Sequence, residues 1–286
     1  MDTPSLEFLS VIEVFPPLFP FGSSEKGHID LEGGIEQFVE GVREIRDLGD
    51  VFLVADVKNP GLAKLSTVEA SFLLQQRLQV KAAPVIVVRD MNRLQFLSMV
   101  LTAISLDLDS MMIAWGDDYP ASARAANVRD FTGLREAIIQ ASELIGRAGS
   151  SIRLFAPVDL NGLATPRGVD LAKHRLGAGA DFLLAQPPTT DSGRTFGHHA
   201  SLLEGSDLKG RVLLNVFPFR NEKDIKECER YFGWRLPRSL HQAAGIGEAS
   251  LIREEKKVIR RLRAEKFPGV YLTTRGTPAV AGRLLS

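Results

Sequence analysis

Val51-Phe52-Leu53-Val54-Ala55-Asp56-Val57 is the stretch that decides the fold. Its first five residues are apolar without a break, and an aspartate stands near its end. A strand with one wet face alternates apolar and polar residues. One that stays apolar throughout is buried on both faces, as in a parallel sheet covered by helices. Runs of the same kind recur at 8–14, 84–88, 111–115, 152–157, 181–185, 211–217 and 269–273. Between them the apolar residues take helical spacing: Ile35, Phe38, Val39, Val42 and Ile45; Leu94, Phe96, Leu97, Val100, Leu101 and Ile104; Leu134, Ile138, Ile139 and Leu144. Further helices are expected at 67–79, 169–176, 222–231 and 240–264, and Thr277 with Pro278 opens a last one. Eight strands, each followed by a helix, predict an α/β chain folded as a (β/α)8 TIM barrel, one domain over residues 1–286. A doubly wound open sheet is the competitor, but no G-x-G-x-x-G follows the first strand.

Composition narrows the function. At 44% hydrophobic and 24% charged residues, the chain is neither disordered nor low in complexity. Thirty-five basic residues balance thirty-five acidic ones, which argues against nucleic acid or an anionic membrane surface as partner. Residues 253–263 are locally basic, but acids interleave at helical spacing, the pattern of a solvated helix face. No apolar run approaches the roughly 18 residues of a membrane span. The opening MDTPSLEF lacks the basic and apolar regions of a secretory signal, so a cytoplasmic location is expected. Cys228 alone excludes an internal disulfide and a multi-cysteine metal site.

In such a barrel the chemistry gathers at the C-terminal ends of the strands. The polar residues there are Glu13, Asp56 with Lys58, Arg89 with Asp90, Asp117 with Asp118, Asp159 with Asn161, Gln186, Arg220, and Thr274 with Arg275. Glu13 differs from the rest because it stands inside its apolar strand. Desolvation there raises a carboxyl toward neutrality and suits it to act as a general acid. An ion pair with a basic neighbour such as Arg89 is the other reading, and the sequence leaves both open. The five histidines carry no metal-ligand spacing and are expected at the surface. No G-x-S-x-G elbow is present, and Cys228 falls within a helix pattern, so nucleophilic catalysis has no support.

Ile12-Glu13-Val14-Phe15-Pro16-Pro17 resembles the F-E-F-F-P-P opening of the methylenetetrahydrofolate reductases. Arg89-Asp90-Met91-Asn92-Arg93 is similar to the R-D-x-N-R of that family's acetogen- and archaeal-type branch. Trp115-Gly116-Asp117 matches its x-G-D, and residues 178–186 (AGADFLLAQ) its A-G-A-D-F-x-x-T-Q; Asn215-Val216-Phe217-Pro218 stands where the family has P-G-I-x-P. The matches keep their order from residue 8 to about 275.

The resemblance implies a fold, a reaction and a set of roles. Glu13 would be the acid that opens a methylene-pterin ring to an iminium. Asp117 and Gln186 would hold the pterin, with Phe217 or Phe219 stacked on it. Asp56, Arg89, Asp90, Gly116, Arg175 and Ala180 fall where the family holds its flavin, implying FAD, with FMN or no flavin as variants. NAD(P)H or a protein electron donor would supply the electrons, and a homo-oligomer or an electron-transfer subunit is implied as partner. The product would be the methyl-pterin; the alternative is a flavin-less pterin-binding C1 enzyme, or a partner subunit of a reductase or methyltransferase complex. A third reading is a non-catalytic homologue. The chain departs from the family on the flavin side: Asp56-Val57-Lys58-Asn59 replaces T-Y-G-A, Val85-Ile86-Val87-Val88 replaces H-L-T-C, and Ala156 and Ala185 replace a tyrosine and a threonine.

Overall fold

Every one of the eight apolar runs becomes a strand, and parallel pairing closes them into a ring. The computed structural model describes residues 8–20, 29–57, 62–89, 91–116, 130–186, 188, 193–232, 236 and 238–285. The first half runs β1 (Leu9–Val14), β2 (Leu18–Pro20), α1 (Leu31–Arg43), β3 (Val51–Val54), β4 (Leu62–Lys64), α2 (Thr67–Leu78), β5 (Ala82–Val87), α3 (Arg93–Ser105), β6 (Ser110–Ala114) and α4 (Leu134–Arg147). The second runs β7 (Arg153–Asp159), α5 (Pro166–Gly177), β8 (Phe182–Gln186), α6 (Gly193–Gly205), β9 (Val212–Val216), α7 (Glu222–Phe232), α8 (Arg238–Ile246), α9 (Glu248–Ala264), β10 (Gly269–Thr273) and α10 (Ala279–Leu285). Around the barrel the order is β1, β3, β5, β6, β7, β8, β9, β10 and back to β1, as expected of the (β/α)8 fold.

Two apolar layers hold the ring. The inward faces pack together inside it, with Val11, Leu53, Val85, Met112, Phe155, Leu184, Leu213 and Tyr271 among their members. The outward faces pack against the helices through Phe52, Ile86, Phe96, Ile113, Leu183 and many others. This double burial is why the strands read as unbroken apolar runs. Helix starts are set locally. Asn92 caps α3 by accepting the Gln95 N–H at 2.8 Å, and Thr165 caps α5 by accepting from Gly168 at 3.1 Å, with Pro166 in the first turn.

Three features were not foreseen. β2 and β4 pair antiparallel over the loops that leave β1 and β3, at the C-terminal end of the barrel. Three-residue strands carry too short a pattern to read. The helix expected over 240–264 is two helices, broken at Gly247, whose φ of +132° disfavours any side chain. His199, expected at the surface, is buried on α6, where burial first and His198 second hold its imidazole down to about 4. α7, α8 and α9 close a satellite core over the exit of β9, built from Phe217, Phe219, Ile225, Cys228, Leu240, Ala243 and Leu251. Among the described residues, no helix is long and apolar enough to cross a membrane, and no cluster of three metal-ligating side chains forms.

Candidate functional site

Alternation along β1 sends Leu9, Val11 and then Glu13 into the barrel, with Glu13 in the layer nearest the C-terminal mouth. Register sets Glu13 beside Thr273 of β10 and Leu53 of β3. The Tyr271 hydroxyl, rising from the layer below, donates to Glu13 Oε2. The residue keeps partial exposure, but its carboxyl is enclosed closely enough for burial to dominate its chemistry. Burial raises it from 4.5 to about 7, and the Tyr271 hydrogen bond works the other way. Among the described residues, Tyr271 and not Arg89 is the partner of this carboxyl.

Around this pair the structure gathers a polar cluster. Gln186, exposed at the end of β8 and in register with Asp159, reaches the Tyr271 hydroxyl. Thr273 reaches it as well, and Asn215 Nδ2 donates to Thr273 Oγ1 at 3.0 Å. Next along the chain, Thr274 Oγ1 donates to the Glu13 carbonyl at 2.6 Å and fixes the backbone of β1 at that level. Burial, then the nearby Glu13 carboxyl, lifts the Tyr271 phenol well above 10, so it remains a donor at any ordinary pH. Sequence reasoning brought Glu13 and Gln186 to this place and missed Tyr271, Thr273 and Asn215. The available signal was the inward period-two series Tyr271, Thr273 on the last strand, which sets two hydroxyls in succession on the face toward the barrel interior.

Phe217 and Phe219 are buried in the satellite core at 7% and 2% exposure, with ring centroids 5.0 Å apart. The two rings are tilted at 41° to one another, and the Arg275 guanidinium lies 5.2 Å from the Phe217 centroid. The Phe219 N–H donates at 3.0 Å to Glu255, a carboxyl that burial pushes up to about 8. Asp117 and Asp90 lie outside the described residues.

Five of the six positions implied for a flavin lie among the described residues. Ala180 precedes β8 and so lies at the opposite end of the barrel from Gln186, roughly 20 Å away at the rise of an extended strand. It packs in the core there, 4% exposed, too far from the mouth to touch a cofactor bound at it. Arg175 is wedged between α5 and β7, where Nη1 donates to the Pro157 carbonyl at 2.5 Å; burial lowers the guanidinium and Asp159 partly restores it. Asp56 holds Lys64 of β4 in an ion pair, while burial draws that lysine down to about 8. Arg89, 3% exposed, and Gly116 do meet at the mouth: a Cβ on Gly116 would stand 3.8 Å from the Arg89 Cζ and 2.4 Å from Val87. Glycine is required at 116 on that ground and by its φ of +94°. Of the five described positions, Arg89 and Gly116 adjoin at the mouth, Asp56 and Arg175 are engaged with other parts of the chain, and Ala180 lies at the far end of the barrel.

No protein-family model and no curated protein sequence matches the chain. Solved structures do. A Clostridium thermocellum protein that binds two copies of 5-methyl-5,6,7,8-tetrahydrofolic acid superposes with a TM-score of 0.63 at 13% identity, covering 98% of this chain and 94% of that one. Oxaloacetate acetylhydrolase superposes with a TM-score of 0.51 at 14% identity, covering 96% and 78%. At these identities the likeness is one of fold.

Proposed function

We propose that the barrel mouth binds a reduced pterin carrying a one-carbon unit, and that Glu13 delivers the proton that opens a methylene bridge on it. The observation that carries this reading is a carboxyl raised to about 7 inside the mouth, tied through Tyr271 to the accessible Gln186. An amide that both donates and accepts suits the pyrimidinone edge of a pterin, and a neutral acid suits a weakly basic bridging amine. Protonation of the amine nitrogen lets the carbon–nitrogen bond to it break, leaving the carbon as an iminium on the other nitrogen; Glu13 is left as carboxylate. The fold neighbour that binds 5-methyl-tetrahydrofolate, and the short motifs around Glu13 and Gln186, support a pterin over other heterocycles.

In its finer form this step is the acid half of reduction of a methylene-pterin to the methyl-pterin, an oxidoreductase activity. The second form is a C1 step without a resident flavin, in this chain alone or with a partner subunit. The scatter of Asp56, Arg175 and Ala180 favours the second. Calorimetric titration with methyl-tetrahydrofolate, with E13Q as control, tests the common claim. The ligand is expected to bind both proteins, while ring opening of methylene-tetrahydrofolate falls about 10²–10⁴-fold in E13Q. No binding to the wild type, or equal turnover in the variant, overturns the reading. Visible flavin absorbance of the purified protein would decide for the reductase form.

A further inference from the structure

Asn215, Thr273, Gln186 and Tyr271 gather beside Glu13, where Asn215 donates to Thr273 and Tyr271 donates to a single oxygen of Glu13. Asn215 is 1% exposed, gives its N–H to Thr273, and leaves Oδ1 buried without a partner. That orphan oxygen is unfavourable, since an unsatisfied buried acceptor loses its hydration for nothing. Its presence marks an amide oriented for donation. With its oxygen occupied as an acceptor, the Thr273 hydroxyl is free to donate onward to Tyr271. Gln186 and Thr273 both lie close enough to act on that phenol. The phenol turns its own proton to Glu13 Oε2.

We infer that Tyr271 is a positioning residue which, by occupying Oε2, confines the transferable proton of Glu13 to Oε1. A carboxylic acid whose one oxygen accepts a strong hydrogen bond carries its proton on the other, so the acid presents a single orientation to whatever enters the mouth. This rests on the acid role proposed above and specifies how the acid is aimed. The charged groups on the elements flanking β1 are engaged elsewhere: Asp56 holds Lys64, and Arg275 holds Asp224. Arg89, across the mouth, lies against Gly116. Among the described residues, the phenol is the group that hydrogen-bonds the Glu13 carboxyl.

Infrared titration of the carboxyl band in the unliganded protein provides the test, with E13Q identifying the Glu13 band against that of Glu255. In Y271F the Glu13 midpoint is expected to move up by about one to two pH units, because a donor to the charged form is lost. T273V keeps the phenol but removes one of its donors, and the midpoint is expected to move the same way by less. Turnover should fall in both variants with the KM for the pterin within about twofold, since aim and not binding is lost. A folded Y271F with an unmoved midpoint overturns the inference. Should Y271F fail to fold, an unmoved midpoint in T273V overturns it alike. Absence of methyl-tetrahydrofolate binding alongside a normal midpoint shift would sink the pterin reading and leave the positioning role standing.

Discussion

At Glu13 one side chain sets the chemistry. A carboxyl placed in an apolar strand could be read as either a desolvated acid or an ion-paired group, and the burial that raises it is set by the closed barrel around it. Its partner was not legible. Tyr271 lies 258 residues away and reads in sequence as one more core aromatic; only ring closure between β1 and β10 brings the phenol to it. Since the acid must be protonated to act, the rate of ring opening should be level below pH 7 and fall tenfold per unit above it, following the value of about 7. A pH–rate profile checks this, and a profile flat to pH 9 would show that another group supplies the proton.

Elements explain motifs that chemistry does not. In Arg89-Asp90-Met91-Asn92-Arg93, Asn92 caps α3, and Arg93 meets the Asp130 carbonyl at 3.1 Å and the Glu136 carboxylate. In Ala178-Gly179-Ala180-Asp181, the aspartate accepts the Leu154 N–H at 2.8 Å and Gly179 takes a φ of +114° over Ser142. Both stretches are short because a cap or a turn needs few residues, and both do structural work here. N92A should cost about 1 kcal/mol through the lost cap, and lower the melting temperature by about 2–4 °C. G247A forces a side chain onto the glycine backbone between α8 and α9 and should cost about 1–3 kcal/mol. Calorimetric scans of the two variants rank them; a G247A protein as stable as the wild type would mean that α8 and α9 can merge into one helix.

For the molecule as a whole, three buried groups bend the dependence of stability on pH. Glu13 and Glu255 hold their protons to about 7 and about 8 in the folded chain but only to 4.5 when unfolded. The unfolded chain therefore sheds protons first, and each group erodes stability as pH rises from 4.5 through its folded value, by about 1.4 kcal/mol per unit. His199, at about 4 folded against 6.5 unfolded, works in reverse and adds stability as pH rises between those values. Between pH 4.5 and 6.5 the histidine offsets one carboxyl; from 6.5 to 8 it no longer does, and Lys64 begins to add stability only above about 8. Urea midpoints should fall between pH 6.5 and 8, and E255Q should abolish the part of the fall from 7 to 8. An unchanged slope in E255Q would show that the Glu255 carboxyl is already ionised in the folded protein.

The eight barrel strands, and with them the (β/α)8 ring, were set by the sequence alone, because burial on both faces of a parallel strand writes an apolar run that needs no partner to be recognised. Glu13 and Gln186 at strand ends followed from the same pattern. Which side chains share the mouth, by contrast, was decided by closure. The Tyr271 hydrogen bond, the Lys64 pairing of Asp56 and the burial of Phe219 beneath α9 all join residues from distant strands and loops. Contacts of that range are fixed by ring closure and register, and neither leaves a local trace in the residues that make them.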